Sequence, residues 1–237
     1  MTPKKKRTRA AAVIVAAGSG TRMGAAVNKQ FLLIDGMPVI AHTLTAFQKA
    51  ELVDEIIIAA KHDEILTIGD IVREFGITKV TNIVPGGKTR GESVCRGLEH
   101  SKCEITAVHD GARPFVSPER ICAAVAAAEA SGAAALGVPV KDTVKTVDKG
   151  GNVINTPDRS SLRLVQTPQV FKTELLKNAY SHAAEIGFEG TDDCSVAEAA
   201  GISVRIIDGE YTNIKITTAE DIPIAEAICR FLSEAKG

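Results

Sequence analysis

No stretch of the chain reaches the roughly eighteen apolar residues that a membrane-spanning helix needs. Its basic start, Lys4-Lys5-Lys6-Arg7-Thr8-Arg9, is not followed by the apolar core of a signal peptide. The expectation is a cytoplasmic protein with no membrane partner. Cysteine offers little pattern: Cys95, Cys103, Cys122, Cys194 and Cys229 are odd in number, widely spaced and never arranged as C-x-x-C. A disulfide framework and a zinc site are both unsupported, and mostly buried thiols are expected. An excess of one charge is also lacking, since 28 Lys and Arg face 29 Asp and Glu for a net charge of −1. Apart from the short basic tail there is no electrostatic footprint for nucleic acid, and no such partner is expected.

Two widespread nucleotide signatures are absent as well. A Walker A loop would need a glycine five positions before Gly87-Lys88-Thr89, and Asn82 stands there. The dinucleotide fingerprint G-x-G-x-x-G fails because Gly18 and Gly20 are followed by Gly24, one residue late. The next apolar strand ends at Ala59-Ala60-Lys61 without the ribose-binding acid.

What is present starts at Ala11-Ala12-Val13-Ile14-Val15, an apolar run that reads as a buried strand. It leads into Ala16-Ala17-Gly18-Ser19-Gly20-Thr21-Arg22-Met23-Gly24 and on to Asn28-Lys29-Gln30-Phe31. Glycines after a strand let backbone N–H groups approach a polyphosphate, and Arg22 and Lys29 supply charge. The alternative is a glycine turn that only permits tight strand-to-helix packing. Further strand-length runs lie at Val53 to Ala60, Lys79 to Val84, Ile105 to His109 and Ala133 to Val138, separated by helix-like stretches. Near-continuous apolar strands of this kind imply a mostly parallel, Rossmann-like α/β sheet with helices on both faces and ligands at the strands' carboxyl ends. With 237 residues, 45% apolar and 24% charged, a single domain over 1–237 is expected. Ser117-Pro118-Glu119 opens a helix running to Ala130, and Ile222, Ala225, Cys229 and Leu232 mark the core face of a last one.

The alternation breaks between Val140 and Leu164. Thr143 to Val147 and Val153 to Thr156 read as two strands joined at Asp148-Lys149-Gly150-Gly151-Asn152. This extended β-hairpin arm, at about 140–164, is too small to stand alone in water, so pairing with the arm of a second chain, a homodimer, is expected.

Polar residues gather in loops that follow strands. Gly86-Gly87 to Arg90 is one and His109-Asp110-Gly111-Ala112-Arg113-Pro114 is another. A carboxylate such as Asp110 can hold Mg²⁺, and an arginine such as Arg113 can neutralise phosphate oxygens; a loop ion pair with a proline turn is the plainer reading. His109 reads as a hydrogen-bonded core histidine, Thr191-Asp192-Asp193 as a helix N-cap, and Lys215 as a solvated lysine in an alternating strand, Ile214-Lys215-Ile216.

Taken in order, these loops, with Ser93-Val94, Asp142-Thr143-Val144-Lys145, Gln166-Thr167-Pro168-Gln169 and Asn213-Ile214-Lys215-Ile216-Thr217, resemble the 2-C-methyl-D-erythritol 4-phosphate cytidylyltransferases over nearly the whole chain. The resemblance implies a nucleotidyltransferase that joins CTP and methylerythritol phosphate with release of pyrophosphate, in the non-mevalonate route to isoprenoid precursors, as a homodimer with Mg²⁺. It implies catalytic roles for Arg22, Lys29 and Lys215. It implies CTP binding by Ala16, Ala17, Gly18, Gly20, Gly86, Gly87, Arg90, Ser93 and Asp110. Around the acceptor it places Asp110, Arg113, Thr143, Arg159, Thr191 and Lys215, with Thr143 and Arg159 reaching in from the partner's arm and Asp110 at the metal. Gly111, where many members carry alanine, and Thr218-Ala219, where proline is common, depart from the pattern without removing a functional group. The sister ribitol 5-phosphate cytidylyltransferases share the CTP half. A nicotinamide dehydrogenase would leave Arg22 and Lys29 idle, and a non-catalytic nucleotide sensor on the same fold is a third reading.

Overall fold

The computed structural model describes residues 9–18 and 28–234. The first strand, β1 (Ala10–Ala16), is followed by a 3-10 turn at Lys29–Phe31, a small ribbon of β2 (Leu33–Ile34) and β3 (Met37–Pro38), and helix α1 (Val39–Lys49). Next come β4 (Val53–Ala60), a 3-10 turn at His62–Glu64, α2 (Ile65–Glu74), β5 (Val80–Pro85), α3 (Arg90–His100), β6 (Ile105–Asp110), α4 (Pro118–Ser131) and β7 (Ala133–Pro139). The arm carries β8 (Thr146–Val147) and β9 (Val153–Asn155). The chain returns through β10 (Arg163–Lys172), α5 (Thr173–Glu185), α6 (Asp193–Ala199), β11 (Arg205–Asp208) and α7 (Asp221–Glu234).

Seven strands form one sheet in the order β11-β7-β10-β6-β1-β4-β5, and only β10 runs antiparallel to its neighbours. β1 is buried on both sides. Ala10, Ala12, Ile14 and Ala16 join α1, α2 and α4 in one apolar cluster, while Ala11 and Val13 pack on the opposite face with Ile57 and Ala59. A strand covered on both faces loses its polar alternation, which is why β1 and β4 read as continuous apolar runs.

The chain proceeds from β1 outward to β4 and β5, then crosses back to place β6 on the other side of β1. The gap between the carboxyl ends of β1 and β6 is therefore a topological switch point, the usual location of a ligand crevice in such sheets. β10 crosses the sheet beside it. Pro168 lies within this interior strand and has no N–H to give, and the β10–β7 register shifts between Val165 and Gln169.

Local signals were decisive at several helix ends. The Ser117 hydroxyl accepts from Arg120 N and Pro118 occupies the first turn of α4; the Asp192 carboxylate accepts from Ser195 N at 2.8 Å at the start of α6. Three expectations need correction. Lys215 is not in a strand: 213–217 is an irregular segment whose Ile216 N donates to Ala112 O at 2.8 Å, so the alternating isoleucines anchor a loop. The hairpin strands are two and three residues long, and Thr143 to Lys145 lie outside them. Of the cysteines only Cys103 and Cys194 are buried, the other three being half-buried.

Candidate functional site

A cleft of about 480 Å³ opens at the switch point. Its floor is Val15, Ala16, Ala17 and Gly18 from the end of β1. Asn28, Lys29 and Gln30 form one wall, Gly87 to Arg90 with Ser93 another, and Asp110, Ala112, Lys215 and Thr217 close it. Five chain segments thus bring together most of the residues singled out from the sequence. Arg22 and Gly20 lie outside the described residues. Gly86 sits just behind the lining, where a Cβ would collide with Ala17 Cβ and crowd Ser93 Oγ, so only glycine lets this strand end close against β1. Ser93 fixes the turn: its hydroxyl accepts from Gly87 N at 3.0 Å and donates to Thr89 O at 2.9 Å.

Asp110 is the electrostatic centre. Lys215 Nζ is 2.7 Å from its Oδ2, Arg90 Nε 3.1 Å from its Oδ1, and Arg113 Nε 3.8 Å from Oδ2. Burial by itself would raise the pKa of this carboxyl, but the charges of Arg90, Lys215 and Arg113 override it and hold the group well below the usual carboxylate range. Three cations against two carboxylates, Asp110 and the Asp193 that also pairs with Arg90, leave a surplus of positive charge at the cleft mouth, suited to a polyanion. Arg90 is itself held from behind, since its Nη2 donates at 2.7 Å to the fully buried Asp193, which also accepts from the Tyr180 hydroxyl at 2.6 Å. Burial raises the Tyr180 pKa and the neighbouring Asp193 charge raises it further, keeping the phenol a donor.

A second set of hydrogen bonds holds Asp110 from the side of β10. Asp110 N donates to Thr167 Oγ1 at 3.1 Å, and Thr167 Oγ1 lies 3.0 Å from His109 Nδ1. His109 Nε2 is 3.1 Å from Arg113 O. A carbonyl only accepts, so Nε2 carries the proton, Nδ1 is the acceptor and the Thr167 hydroxyl donates to it. His109 is a core histidine, fully buried, and burial pushes its pKa down to about 4. Asn213 Nδ2 donates to Thr167 O at 2.9 Å, while Arg113 Nη1 donates to Asn213 O at 2.8 Å, which ties the Lys215 segment to β10. Among the described residues the buried Arg113 Nε has no hydrogen-bond partner.

The remaining candidates are placed elsewhere. Arg159 lines a shallow depression with Pro139, Val140, Lys141, Asp158, Ser160 and Arg163, and its Nη1 donates to Lys141 O at 2.7 Å. Thr143 is exposed at the root of the arm, and Thr191 is exposed just before the Asp192 cap. None of the three lines the cleft, and Arg113, though paired with Asp110, is not part of its lining either. Residues that the sequence did not single out include Asp193 as the support of Arg90, and Glu64, whose carboxylate lies beside the Lys29 turn. An acid four positions past the end of β4 was the available signal for Glu64; for the Arg90–Asp193 pair, 103 residues apart, there was none.

Among the described residues no cluster of three or more His, Cys, Asp or Glu could cage a metal. A single carboxylate that stays ionised does fit Mg²⁺ carried in chiefly by phosphate oxygens, the way this ion is commonly held beside nucleotides. Asp110 is the residue of the cleft that meets this description.

Comparisons with known proteins point to one family. The family model described as 2-C-methyl-D-erythritol 4-phosphate cytidylyltransferase matches residues 10–231. A protein of that name from Alkaliphilus metalliredigens is 44% identical over 219 residues, covering 91% of this chain and 91% of its own. One from Caldanaerobacter subterraneus subsp. tengcongensis is 45% identical over 222 residues, covering 92% and 98%. The crystal structure of 4-diphosphocytidyl-2C-methyl-D-erythritol synthase from Anaerococcus prevotii superimposes with a TM-score of 0.84 at 33% identity, over 94% of this chain and 96% of that one.

Proposed function

Because this chain belongs to the 2-C-methyl-D-erythritol 4-phosphate cytidylyltransferase family, we propose that its cleft joins CTP to 2-C-methyl-D-erythritol 4-phosphate, giving 4-diphosphocytidyl-2-C-methyl-D-erythritol and pyrophosphate. The observation that carries the assignment of chemistry to this cleft is the Lys215–Asp110–Arg90 chain at the switch point, with Lys29 in the lining of the same cleft.

The reaction needs no general base. An acceptor phosphate oxygen, already ionised at neutral pH, bonds to the α-phosphorus of CTP while the bond from that phosphorus to the bridging oxygen breaks. The electron pair leaves with pyrophosphate. What the protein contributes is alignment of two polyanions and stabilisation of charge. Lys29 and Arg22 hold the triphosphate and the charge growing at the α-phosphorus. Lys215, half-exposed between Asp110 and the cleft, turns from the carboxylate to share a phosphate oxygen. The Gly86–Gly87 turn shapes the wall that takes the base, its N–H groups being already given to Ala60 O at 2.7 Å and Ser93 Oγ at 3.0 Å, and Arg113, paired with Asp110, adds positive charge on the side of the acceptor phosphate. Asp110 is the residue that would hold Mg²⁺ brought in with the nucleotide, and a bound ion would supply charge neutralisation for the leaving pyrophosphate.

Arg159 and Thr143 enter this account through a homodimer. Val147, Val153 and Ile154 of the arm, and Leu164 beside it, are exposed apolar side chains on a ribbon too short to be stable alone. Pairing of two arms covers them and brings Arg159 and Thr143 toward the partner's acceptor site. Soluble phosphorylated substrates and the absence of a membrane-crossing helix among the described residues suit the cytoplasm. An acceptor panel tests the assignment: at fixed CTP and Mg²⁺, turnover is expected with methylerythritol phosphate and not with ribitol 5-phosphate. The reverse preference would move the enzyme to the sister activity.

A further inference from the structure

Glu64 lies outside the cleft lining, yet it grips both residues that flank Lys29. Its Oε1 accepts from Asn28 Nδ2 at 2.8 Å and its Oε2 from Gln30 Nε2 at 2.7 Å. Both carboxylate oxygens are therefore committed to two amides, one on each side of the lysine. Asn28 stands at the N-cap of the Lys29–Phe31 turn, where an asparagine side chain ordinarily accepts from the backbone of its own turn. It makes no such cap bond here. Its amide is turned instead toward Glu64 and, at 3.3 Å, toward Gly18 O at the end of β1. Gln30 is almost fully buried, so its amide needs a partner in place, and a charged acceptor is the strongest available. Glu64 is only slightly exposed, and Lys61 Nζ lies 3.7 Å from its Oε1. It sits on the 3-10 turn His62–Glu64, two residues beyond the neighbouring strand of the sheet.

We propose that Glu64 is the positioning residue of the Lys29 turn, a carboxylate clamp that pins Asn28 and Gln30 to the edge of the sheet and so fixes Lys29 against the triphosphate. The inference rests on the assignment of Lys29 above. A charge donor acts on the transition state only if its position is already fixed, and displacement by about 1 Å can cost on the order of 10²-fold. Loss of an outer hydrogen-bonding partner of a functional group typically costs roughly 10- to 100-fold. Glutamine at position 64 can still accept at one oxygen but presents an N–H to the other amide, so it should keep part of the clamp.

The test is a double-mutant cycle read as kcat and as KM for each substrate, with a thermal melt of each protein. Glu64→Ala is expected to lower kcat about 10- to 100-fold, with KM for methylerythritol phosphate unchanged and Glu64→Gln restoring part of the loss. In a Lys29→Ala background, Glu64→Ala is expected to cost little more, because the group it positions is gone. Losses that multiply would overturn the positioning role and leave Lys29 standing. Normal kcat in Glu64→Ala would overturn it as well. A fully active Lys29→Ala enzyme would instead overturn the premise about Lys29. If Glu64→Ala fails to fold, the same cycle with Glu64→Gln decides between the same outcomes.

Discussion

Acidification should unlock the hydrogen-bond chain under the cleft before it protonates Asp110. His109 is neutral, with Nε2–H given to Arg113 O and Nδ1 receiving the Thr167 hydroxyl. A second proton would have to go on Nδ1, where it faces a hydroxyl that is already an acceptor for Asp110 N. Burial, the dominant cause, pushes the pKa down to about 4, from an ordinary value near 6.5. A folded-state pKa below the unfolded one means that the unfolded chain binds the proton first as pH falls. The stability is therefore complete above about pH 6.5 and is lost between there and about pH 4. At roughly 1.36 kcal/mol per decade of affinity, the loss between pH 7.5 and pH 5 is about 2 kcal/mol from this residue, equivalent to roughly 4–8 °C in melting temperature for a chain of this size. The assay is urea unfolding at both pH values for the native protein and for His109→Gln, which cannot titrate. The variant is expected to be less stable at pH 7.5 but to show a pH dependence smaller by about 2 kcal/mol. The difference between the two proteins removes the contribution of the other four histidines. Identical pH dependence would refute the reasoning.

Three further outcomes follow from the site. Lys215→Ala removes the cation nearest Asp110 and is expected to lower kcat roughly 10²- to 10³-fold, the scale of losing one oriented donor, with an intact melting curve; wild-type kcat would remove Lys215 from the chemistry. Asp193→Ala leaves Arg90 and Tyr180 without their shared buried acceptor. The expected cost is about 2–4 kcal/mol, somewhat below that of a fully buried pair because Arg90 keeps Asp110 and opens partly to the cleft; a melting point unchanged within 2 °C, roughly the shift from 1 kcal/mol, would contradict the network. Excising Lys145 to Asn155 is expected to give monomers of low activity, measured by light scattering and turnover, whereas a fully active dimer would contradict the arm's role.

The features legible in the sequence are those with short-range causes. β1 declared itself because both its faces are buried, Ser117-Pro118 because a helix start has its own hydrogen-bonding needs, and the Asp148 turn because its carboxylate accepts from Gly150 N and Asn152 N within four residues. The cleft loops were legible as glycine and charge placed after strands. Long-range pairing was not. Nothing local to β10 indicates that it inserts antiparallel between β6 and β7, and nothing near Arg90 points to Asp193. The Lys215 segment misled for a physical reason: alternation reports alternate burial, and Ile216 is buried under α7 and beside Ala112 without belonging to a sheet.

The most direct test of the central claim is phosphorus NMR of the purified enzyme with Mg²⁺, CTP and methylerythritol phosphate. Pyrophosphate and a new diphosphate diester are expected in equal amounts, with no pyrophosphate when the acceptor is left out or when ATP, GTP or UTP replaces CTP. Pyrophosphate without the diester, or turnover independent of the acceptor, would contradict that claim.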